Sequence, residues 1–176
     1  IVLEEGAIDI MDRRSARSSR SHLRVVRNAD RVFHGGETLL AVSETNVDWF
    51  SLVSPQSDDR SGQLRLSSPV ISAGVSGNGQ RVILLCSNGD VLSKDLSNGE
   101  APRLLTTSRN AMGAVAGKGL FLIYGQELLL FDAATDALRG RLELLSDLAA
   151  PAATFLSKEL VLVGTKNGRV LHYRIE

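Results

Sequence analysis

The residue types that most often carry catalysis or hold a metal ion are few in this sequence and widely separated. The sole cysteine, Cys86, lies in the apolar run VILLC, and His22, His34 and His172 fall in three different segments. No Cys or His pair has the short spacing that is typical of zinc ligands, so a zinc site is not predicted. We interpret Cys86 as a buried and inert thiol rather than a nucleophile.

The glycine pairs and the carboxylates of the sequence could also belong to functional sites, but both have structural explanations. The pairs Gly77/Gly79 and Gly117/Gly119 have the composition of phosphate loops, but neither is followed by a Lys-Ser/Thr ending and a helix. We interpret both as hairpin turns. The carboxylates are scattered through turns and show no pairing that acid–base catalysis would use. The sequence therefore predicts a protein that is not an enzyme and has no cofactor or metal.

The segment from Asp12 to His22 has the most unusual local composition. Its arginines alternate with serines, and they are Arg13, Arg14, Arg17 and Arg20. So polar a segment is typical of a solvated loop between two outer strands. The alternative is a basic docking loop for an acidic protein surface or an RNA backbone, which serine phosphorylation would release. No aromatic residue lies nearby to stack on single-stranded nucleic acid.

A hairpin unit recurs along the chain and sets the fold. Apolar strands followed by a turn and a second strand begin at Leu39, Val82, Leu120 and Leu160. A period of about 40 residues with four short strands is typical of a propeller blade. The pairs Asn88-Gly89 and Asn167-Gly168 separate strand-like runs. They predict structural type I′ turns, in which both central residues have positive φ.

The predicted fold is an all-β propeller of about four four-stranded antiparallel blades. Partial blades span 1–30 (strands plus the Arg/Ser loop) and 147–176, and blades span 31–67, 68–107 and 108–146. The segment DAATDALRGRLELL, from Asp132, also fits a helix, because Leu138, Leu142 and Leu145 fall near helical spacing. The register of the repeat favours a turn and an outer strand there.

The chain opens and closes in mid-blade, which leaves two arrangements. Leu23 to Val26 could supply the outer strand of the last unit and seal a four-bladed ring. Alternatively, these are consecutive blades of a larger ring. We favour the larger ring, because the strands between Ile1 and Met11 have no place in a sealed one. In either case an unpaired blade edge would invite another strand.

At the end of the third strand of each unit, the sequence resembles the WD40-like propeller superfamily. The positions that usually hold Trp-Asp are occupied by Met11-Asp12, Lys94-Asp95 and Phe131-Asp132, with Tyr173-Arg174 as a degenerate version. The fragment FDAATDALRGRL also resembles the blade signature of quinoprotein-like propellers. No unit has a Gly-His dipeptide or a true Trp-Asp pair, so the His-Asp-Trp network of regular WD repeats is not expected.

This resemblance implies a rigid, non-catalytic scaffold within a multi-protein assembly. Its partners would be other protein subunits, bound through loop surfaces or an open blade edge. One alternative is a quinoprotein-like enzyme, which would gather polar residues at the ring axis around a calcium-bound quinone. Another is an RNA-associated propeller. Fold alone does not decide among these functions.

Two further sets of side chains take their roles from their place in the repeat. Asp12, Asp95 and Asp132 share one position, which predicts that each carboxylate caps the turn after a third strand. Trp49 and Phe50 are adjacent in a strand and so face opposite sides of the sheet. One ring is expected in the core and the other as an exposed partner-binding anchor, with Trp49 as our candidate.

Bulk composition narrows the class of partner. Twenty basic and twenty acidic residues balance, whereas nucleic-acid-binding domains usually carry excess Lys and Arg. No apolar run approaches the roughly 18–20 residues that span a bilayer. A single cysteine is compatible with a reducing compartment. We expect an intracellular protein, cytoplasmic or nuclear.

Deleting Arg13 to Ser21 tests the docking-loop hypothesis. We expect the variant to fold normally, because so polar a segment packs little apolar surface, and to recover less partner in a pull-down. Unchanged recovery of partner would show that the segment is only a solvated loop.

Overall fold

A computed structural model describes residues 2–4, 7–9, 29–52, 61–117 and 119–175 of the 176-residue chain. Across these residues the regular structure is β-strand, apart from a 3₁₀ turn at Ser146–Leu148. This confirms the predicted all-β class. No helix within the described residues is long and apolar enough to cross a membrane. Arg13, Arg14, Arg17 and Arg20, together with Asp12, His22 and the predicted strand at Leu23 to Val26, lie outside the described residues.

Seventeen strands are described, and they are numbered in chain order. They are β1 (Val2–Glu4), β2 (Ala7–Asp9), β3 (Arg31–Gly35), β4 (Thr38–Ser43), β5 (Asn46–Ser51), β6 (Gly62–Arg65), β7 (Val70–Val75), β8 (Arg81–Cys86), β9 (Asp90–Asp95), β10 (Arg103–Thr107), β11 (Ala111–Gly117), β12 (Leu120–Gly125), β13 (Glu127–Asp132), β14 (Leu138–Glu143), β15 (Ala152–Phe155), β16 (Leu160–Gly164) and β17 (Val170–Arg174).

The described strands form five antiparallel sheets, numbered 1 to 5 in chain order. Sheet 1 is β1–β2, sheets 2, 3 and 4 are the four-stranded meanders β3–β6, β7–β10 and β11–β14, and sheet 5 is β15–β17. Each strand pairs with its neighbour in sequence, which is the arrangement of propeller blades. The sheets fall inside the five ranges predicted as blades, and those ranges remain our proposed boundaries.

Sheets 2 to 5 stack face to face in chain order, with their first strands closest together. Backbone contacts between neighbouring sheets involve mainly β3 with β7, β7 with β11 and β11 with β15. Hydrogen bonds cross these junctions: the Ala114 amide donates to Ser72 Oγ at 3.0 Å, and Thr38 Oγ1 donates to the Gly79 carbonyl at 2.7 Å. The first strands therefore lie along a common inner line, as expected for a propeller segment.

Glycine makes the close approach of these inner strands possible. A methyl group on Gly74 of β7 would lie 2.6 Å from the backbone nitrogen of Ala116 in β11. One on Gly35 of β3 would overlap the Val75 carbonyl of β7. Backbone atoms at such a junction cannot move aside as a flexible side chain can. The small residue is thus a packing requirement at both positions.

The central strands are apolar on both faces because each lies between two sheets. In β8, Val82 and Leu84 pack into the layer shared with sheet 2, whereas Ile83 and Leu85 pack into the layer shared with sheet 4. All four side chains are fully buried. This double burial explains the near-continuous run RVILLC, in which polar and apolar residues do not alternate.

The turns at Asn88-Gly89 and Asn167-Gly168 differ from the expected type I′ geometry. Gly89 and Gly168 have φ of +90° and +80°, but neither asparagine has a positive φ. The Gly89 amide donates to the Cys86 carbonyl at 2.9 Å. Each hairpin therefore has a three-residue loop that ends in a left-handed glycine, a bulged turn that requires only one positive φ.

The segment after Asp132 is a strand, which confirms the choice made from the repeat. β14 pairs antiparallel with β13, with a register shift at Leu130/Phe131. Leu138, Leu142 and Leu145 are 54%, 42% and 71% exposed. Their helix-like spacing therefore does not mark a buried helical face.

Replacing Gly74 by alanine tests the inner-strand packing. The added methyl group would overlap the β11 backbone, so we expect the free energy of unfolding to fall by about 2 kcal/mol, the usual cost of overpacking. Urea denaturation of the intact protein would measure it. The control is Gly77→Ala, three residues away with no atom within 4 Å of the new group. Equal stability of both variants would contradict this account.

Candidate protein interface

An apolar groove lies between sheets 4 and 5, on the outer side of the stack. Its volume is about 340 Å³, and its floor and walls are formed by β12, β13, β14, β16 and β17. The apolar lining is Leu122, Leu128, Leu130, Leu142, Val161, Tyr173 and Ile175. We call it the β14–β17 groove.

Strand register places the sheet 4 side of the groove on one face. Leu128 pairs with Leu142, and Leu130 pairs with Gly140, so these side chains point the same way. Leu142 is 42% exposed, although it belongs to this apolar face. A methyl group added at Gly140 would meet no atom within 4 Å. The outer part of the groove is therefore open space above a glycine.

The sheet 5 side of the groove ends at β17, the last strand of that sheet within the described residues. Among the described residues, β17 pairs only with β16, whereas sheets 2, 3 and 4 each have a fourth strand beyond the third. The Ile175 amide donates to the Glu159 carbonyl at 2.8 Å. Because bonded pairs alternate in an antiparallel ladder, Leu171 and Tyr173 bond to β16. The backbone groups of Val170, His172 and Arg174 then point away from the sheet.

Side chains on β17 alternate in the same way. Leu171, Tyr173 and Ile175 are half-buried, and the last two pack against the core between sheets 4 and 5. Val170 and His172 are exposed, with Val170 at 63%. An added strand would meet backbone groups that point away from β16, with apolar surface beside them. This is the arrangement used in β-augmentation.

Two of the three arginines that line the groove, Arg139 and Arg141, are paired with carboxylates. Arg139 contacts Asp132 at 2.8 Å, and Arg141 contacts Glu127 at 2.9 Å and Glu143 at 3.4 Å. The hydrogen bond from Arg139 is the main reason that the pKa of Asp132 lies well below its usual range. These ion pairs offset the charges of Arg139 and Arg141, and the third arginine of the lining, Arg174, is exposed.

Asp95 and Asp132 cap turns, as their shared repeat position predicts. The Ser97 amide donates to Asp95 Oδ1 at 2.8 Å. The amides of Ala134 and Thr135 both donate to Asp132 Oδ1 at 3.0 Å. Hydrogen bonds from Ser97 lower the pKa of Asp95, so this cap stays ionised at neutral pH.

Both aromatic rings of β5 are buried, in contrast to the expectation that one would stand exposed. Trp49 is 8% exposed and Phe50 is 7% exposed. They do face opposite sides of the sheet, but apolar side chains cover both sides. The Trp49 ring lies directly against Gly62 of β6 and lines a cavity between sheets 2 and 3. Its role in partner binding stays a prediction.

Cys86 lies in the core between sheets 2 and 3, 2% exposed. Burial, with a smaller contribution from Asp90, raises the pKa of its thiol to about 11. A thiol that holds its proton and has no access to solvent is a poor nucleophile.

His34 and His172 are exposed in separate sheets. No group of three His, Cys, Asp or Glu side chains within the described residues could hold a metal ion.

The groove residues had no local signal in the sequence. Leu122, Leu128 and Tyr173 read as ordinary strand residues, and they meet only when sheets 4 and 5 stack. The one available hint was a glycine within an outer strand, Gly140, since strand glycines often mark close approach or a gap in packing. From the sequence we predicted an unpaired blade edge, but we did not predict an apolar groove beside β17.

Comparison with known proteins supports the fold and leaves the function open. No protein-family model matches the sequence, and no curated protein matches it. In contrast, 1244 chains in solved structures resemble it, so the fold is too common to single out a function. One is a chain in the "Crystal Structure of Mitotic Checkpoint Complex", with a TM-score of 0.70 and 14% identity. The match covers 98% of this chain and 57% of that chain, so this chain spans just over half its length.

The thiol of Cys86 provides a test of the core between sheets 2 and 3. At pH 8 we expect Ellman's reagent to react at least about a hundredfold more slowly with the folded protein than with protein unfolded in urea. A rise of about two pKa units alone removes that much thiolate. Fast reaction of the folded protein would place Cys86 at an accessible site.

Proposed function

We propose that this propeller segment is a non-catalytic scaffold that binds another protein subunit at the β14–β17 groove. The partner would add a β-strand to the outer edge of β17 and place apolar side chains in the groove. The observation that carries this proposal is the combination of outward backbone groups at Val170, His172 and Arg174 with a 340 Å³ apolar groove beside them.

The chemistry of this surface favours protein over RNA. A strand edge offers backbone donors and acceptors to another backbone, and burying apolar side chains in the groove is energetically favourable. Arg139 and Arg141 lie 2.8 and 2.9 Å from carboxylates, so their charges are partly offset, and most of the groove lining is apolar. The resemblance to a chain from a mitotic checkpoint complex is compatible with a role in an assembly, although it identifies no partner.

The remaining parts of the proposal follow from this surface and from the sequence. We place the segment in a ring larger than four blades, in agreement with a structural match that covers only 57% of its counterpart. We also place the protein inside the cell. The non-catalytic assignment is supported by Cys86, which is buried and protonated, and by Asp95 and Asp132, which serve as turn caps.

A photo-crosslinker at Leu142 tests the proposal. Replacing this exposed groove residue by benzoyl-phenylalanine in the full-length protein should yield a cross-link to one stoichiometric partner, mapped by mass spectrometry to a partner strand. We expect Gly140→Leu, which places a large apolar side chain in the groove, to reduce recovery of the cross-linked partner about tenfold. Loss of one or two buried apolar side chains from an interface has an effect of this size.

The matched control is Gly99→Leu, which adds the same side chain at an exposed loop position. There, as at Gly140, an added β-carbon would meet no atom within 4 Å. His172→Pro is a second variant, because it removes an outward amide and no bond to β16. Equal recovery from all variants would reject the groove as the interface. A cross-link to this protein's own chain would show that its ring closes internally.

A further inference from the structure

Asparagine is followed by glycine at four positions of the sequence, and each of these pairs lies between two strands. In such a pair the glycine nitrogen can attack the side-chain amide carbon of the asparagine, because glycine has no side chain to hinder it and a five-membered ring forms. The pairs are Asn78-Gly79, Asn88-Gly89, Asn98-Gly99 and Asn167-Gly168. None of them lines the β14–β17 groove, so their chemistry does not depend on the function of that groove.

Three of these asparagine side chains are held in the same way. The side-chain oxygen accepts from the backbone amide two residues further on, at 3.1 Å for Asn78, 3.0 Å for Asn88 and 3.3 Å for Asn98. The side-chain NH₂ group of each donates to the side chain of that same residue two positions on. These local bonds therefore do not distinguish the three pairs. A difference in reactivity has to come from the glycine nitrogen or from neighbouring groups.

The glycine nitrogen does differ among the four pairs. It donates to a backbone carbonyl at Gly79, Gly89 and Gly168, over 2.8, 2.9 and 3.0 Å. At Gly99 it donates to no atom of the described residues. A nitrogen must give up its proton to attack a carbon, so an N–H group that is bonded to a carbonyl is protected. Of the four glycines, only Gly99 can react without first breaking such a bond.

Gly99 also has room for the backbone to move during ring closure. A methyl group there would meet no atom within 4 Å, whereas one on Gly79 would lie 2.6 Å from Thr38 Oγ1 and one on Gly89 would lie 3.0 Å from a backbone oxygen. Gly79 and Gly89 are buried, and Gly99 is exposed. The fold therefore restrains two of the matched pairs and leaves the third free.

A cation contacts the side-chain carbonyl of Asn98. The Lys94 ammonium donates to Asn98 Oδ1 at 3.2 Å and to the Asn98 backbone carbonyl at 2.6 Å. Attack on the side-chain carbon would place negative charge on Oδ1, and a positioned ammonium stabilises such an oxygen. In the other three pairs the contacts to Oδ1 come from backbone amides and hydroxyl groups. Asn98 thus combines a free nucleophile with a polarised carbonyl.

We propose that Asn98 is a self-modification site, at which the chain converts asparagine to aspartate and isoaspartate. The Gly99 nitrogen bonds to the Asn98 side-chain carbon, and the side-chain NH₂ group leaves as ammonia with the proton that the Gly99 nitrogen gives up. A succinimide ring remains. Water then opens the ring at one carbonyl to give aspartate or at the other to give isoaspartate. The reaction consumes only water.

The modification changes the charge of the loop between β9 and β10. Asn98 Nδ2 donates to Glu100 Oε2 at 3.2 Å. Conversion replaces this donor by a carboxylate, so two negative groups would face each other where a hydrogen bond stood. We therefore expect the contact between Asn98 and Glu100 to be lost in the modified protein.

Peptide mapping by mass spectrometry tests the assignment on the intact protein, incubated at mildly alkaline pH in heavy-oxygen water to label conversion before digestion. Trypsin releases the first three asparagines in separate peptides, and cleavage after glutamate isolates the fourth. We expect Asn98 to convert about tenfold faster than Asn78 or Asn88, because no backbone hydrogen bond has to be broken. Equal rates at these sites, or faster conversion at any other Asn-Gly pair, would overturn the proposal.

The same measurement in urea separates the effect of the fold from that of the sequence. Unfolding removes the bonds to Gly79 and Gly89, so we expect the rates to become similar. A preference for Asn98 of the same size in urea would overturn the structural account.

Lys94→Met tests the cation, because it keeps an unbranched side chain and removes the ammonium. We expect conversion of Asn98 to slow about tenfold, the effect of one hydrogen bond from a charged group. Asn88 in the same variant is the internal control, and its unchanged rate would show that the fold is kept. An unchanged rate at Asn98 would overturn the role assigned to Lys94.

Discussion

The close approach of consecutive first strands is the constraint on which the rest of the structure depends. Gly35 and Gly74 have no side chain where β3 meets β7 and where β7 meets β11. With the strands this close, a serine can bridge two sheets, as Ser72 does to Ala114 at 3.0 Å. The sheets are thus fixed along their inner edges, and their spacing farther out follows from that geometry.

Fixed inner edges determine which residues each strand can carry. A strand such as β8 lies between two neighbours, so Val82 and Ile83 are both buried and the usual alternation disappears. Asp95 and Asp132 lie at the ends of third strands, where they satisfy backbone amides. Turn-capping aspartates and apolar runs therefore recur together along the chain, and this recurrence is visible in the sequence as a repeat.

The strands could be predicted well from the sequence, because apolar runs and turn residues act over a few neighbouring positions. The runs before and after Asn88-Gly89 predicted the bounds of β8 and β9 nearly to the residue. The predicted turn type was wrong, because Asn-Gly fits both a type I′ turn and a bulged three-residue loop. Burial of both Trp49 and Phe50 could not be read from alternation, since it depends on sheets packed on either side. The β14–β17 groove likewise arises from stacking of sheets 4 and 5, which no short segment encodes.

The β14–β17 groove and the cavity beside Trp49 have the same physical origin in this geometry. Sheets held together at their inner strands separate toward the outer strands, so outer positions need larger side chains to keep the layers filled. Between sheets 2 and 3 the Trp49 ring fills the layer, and a polar cavity remains only beyond it. Between sheets 4 and 5 the corresponding third-strand residue is Leu130, which pairs with Gly140 as Trp49 pairs with Gly62, and an apolar groove remains open there. With glycine in the outer strand at both junctions, the third-strand side chain therefore determines how far the junction is filled.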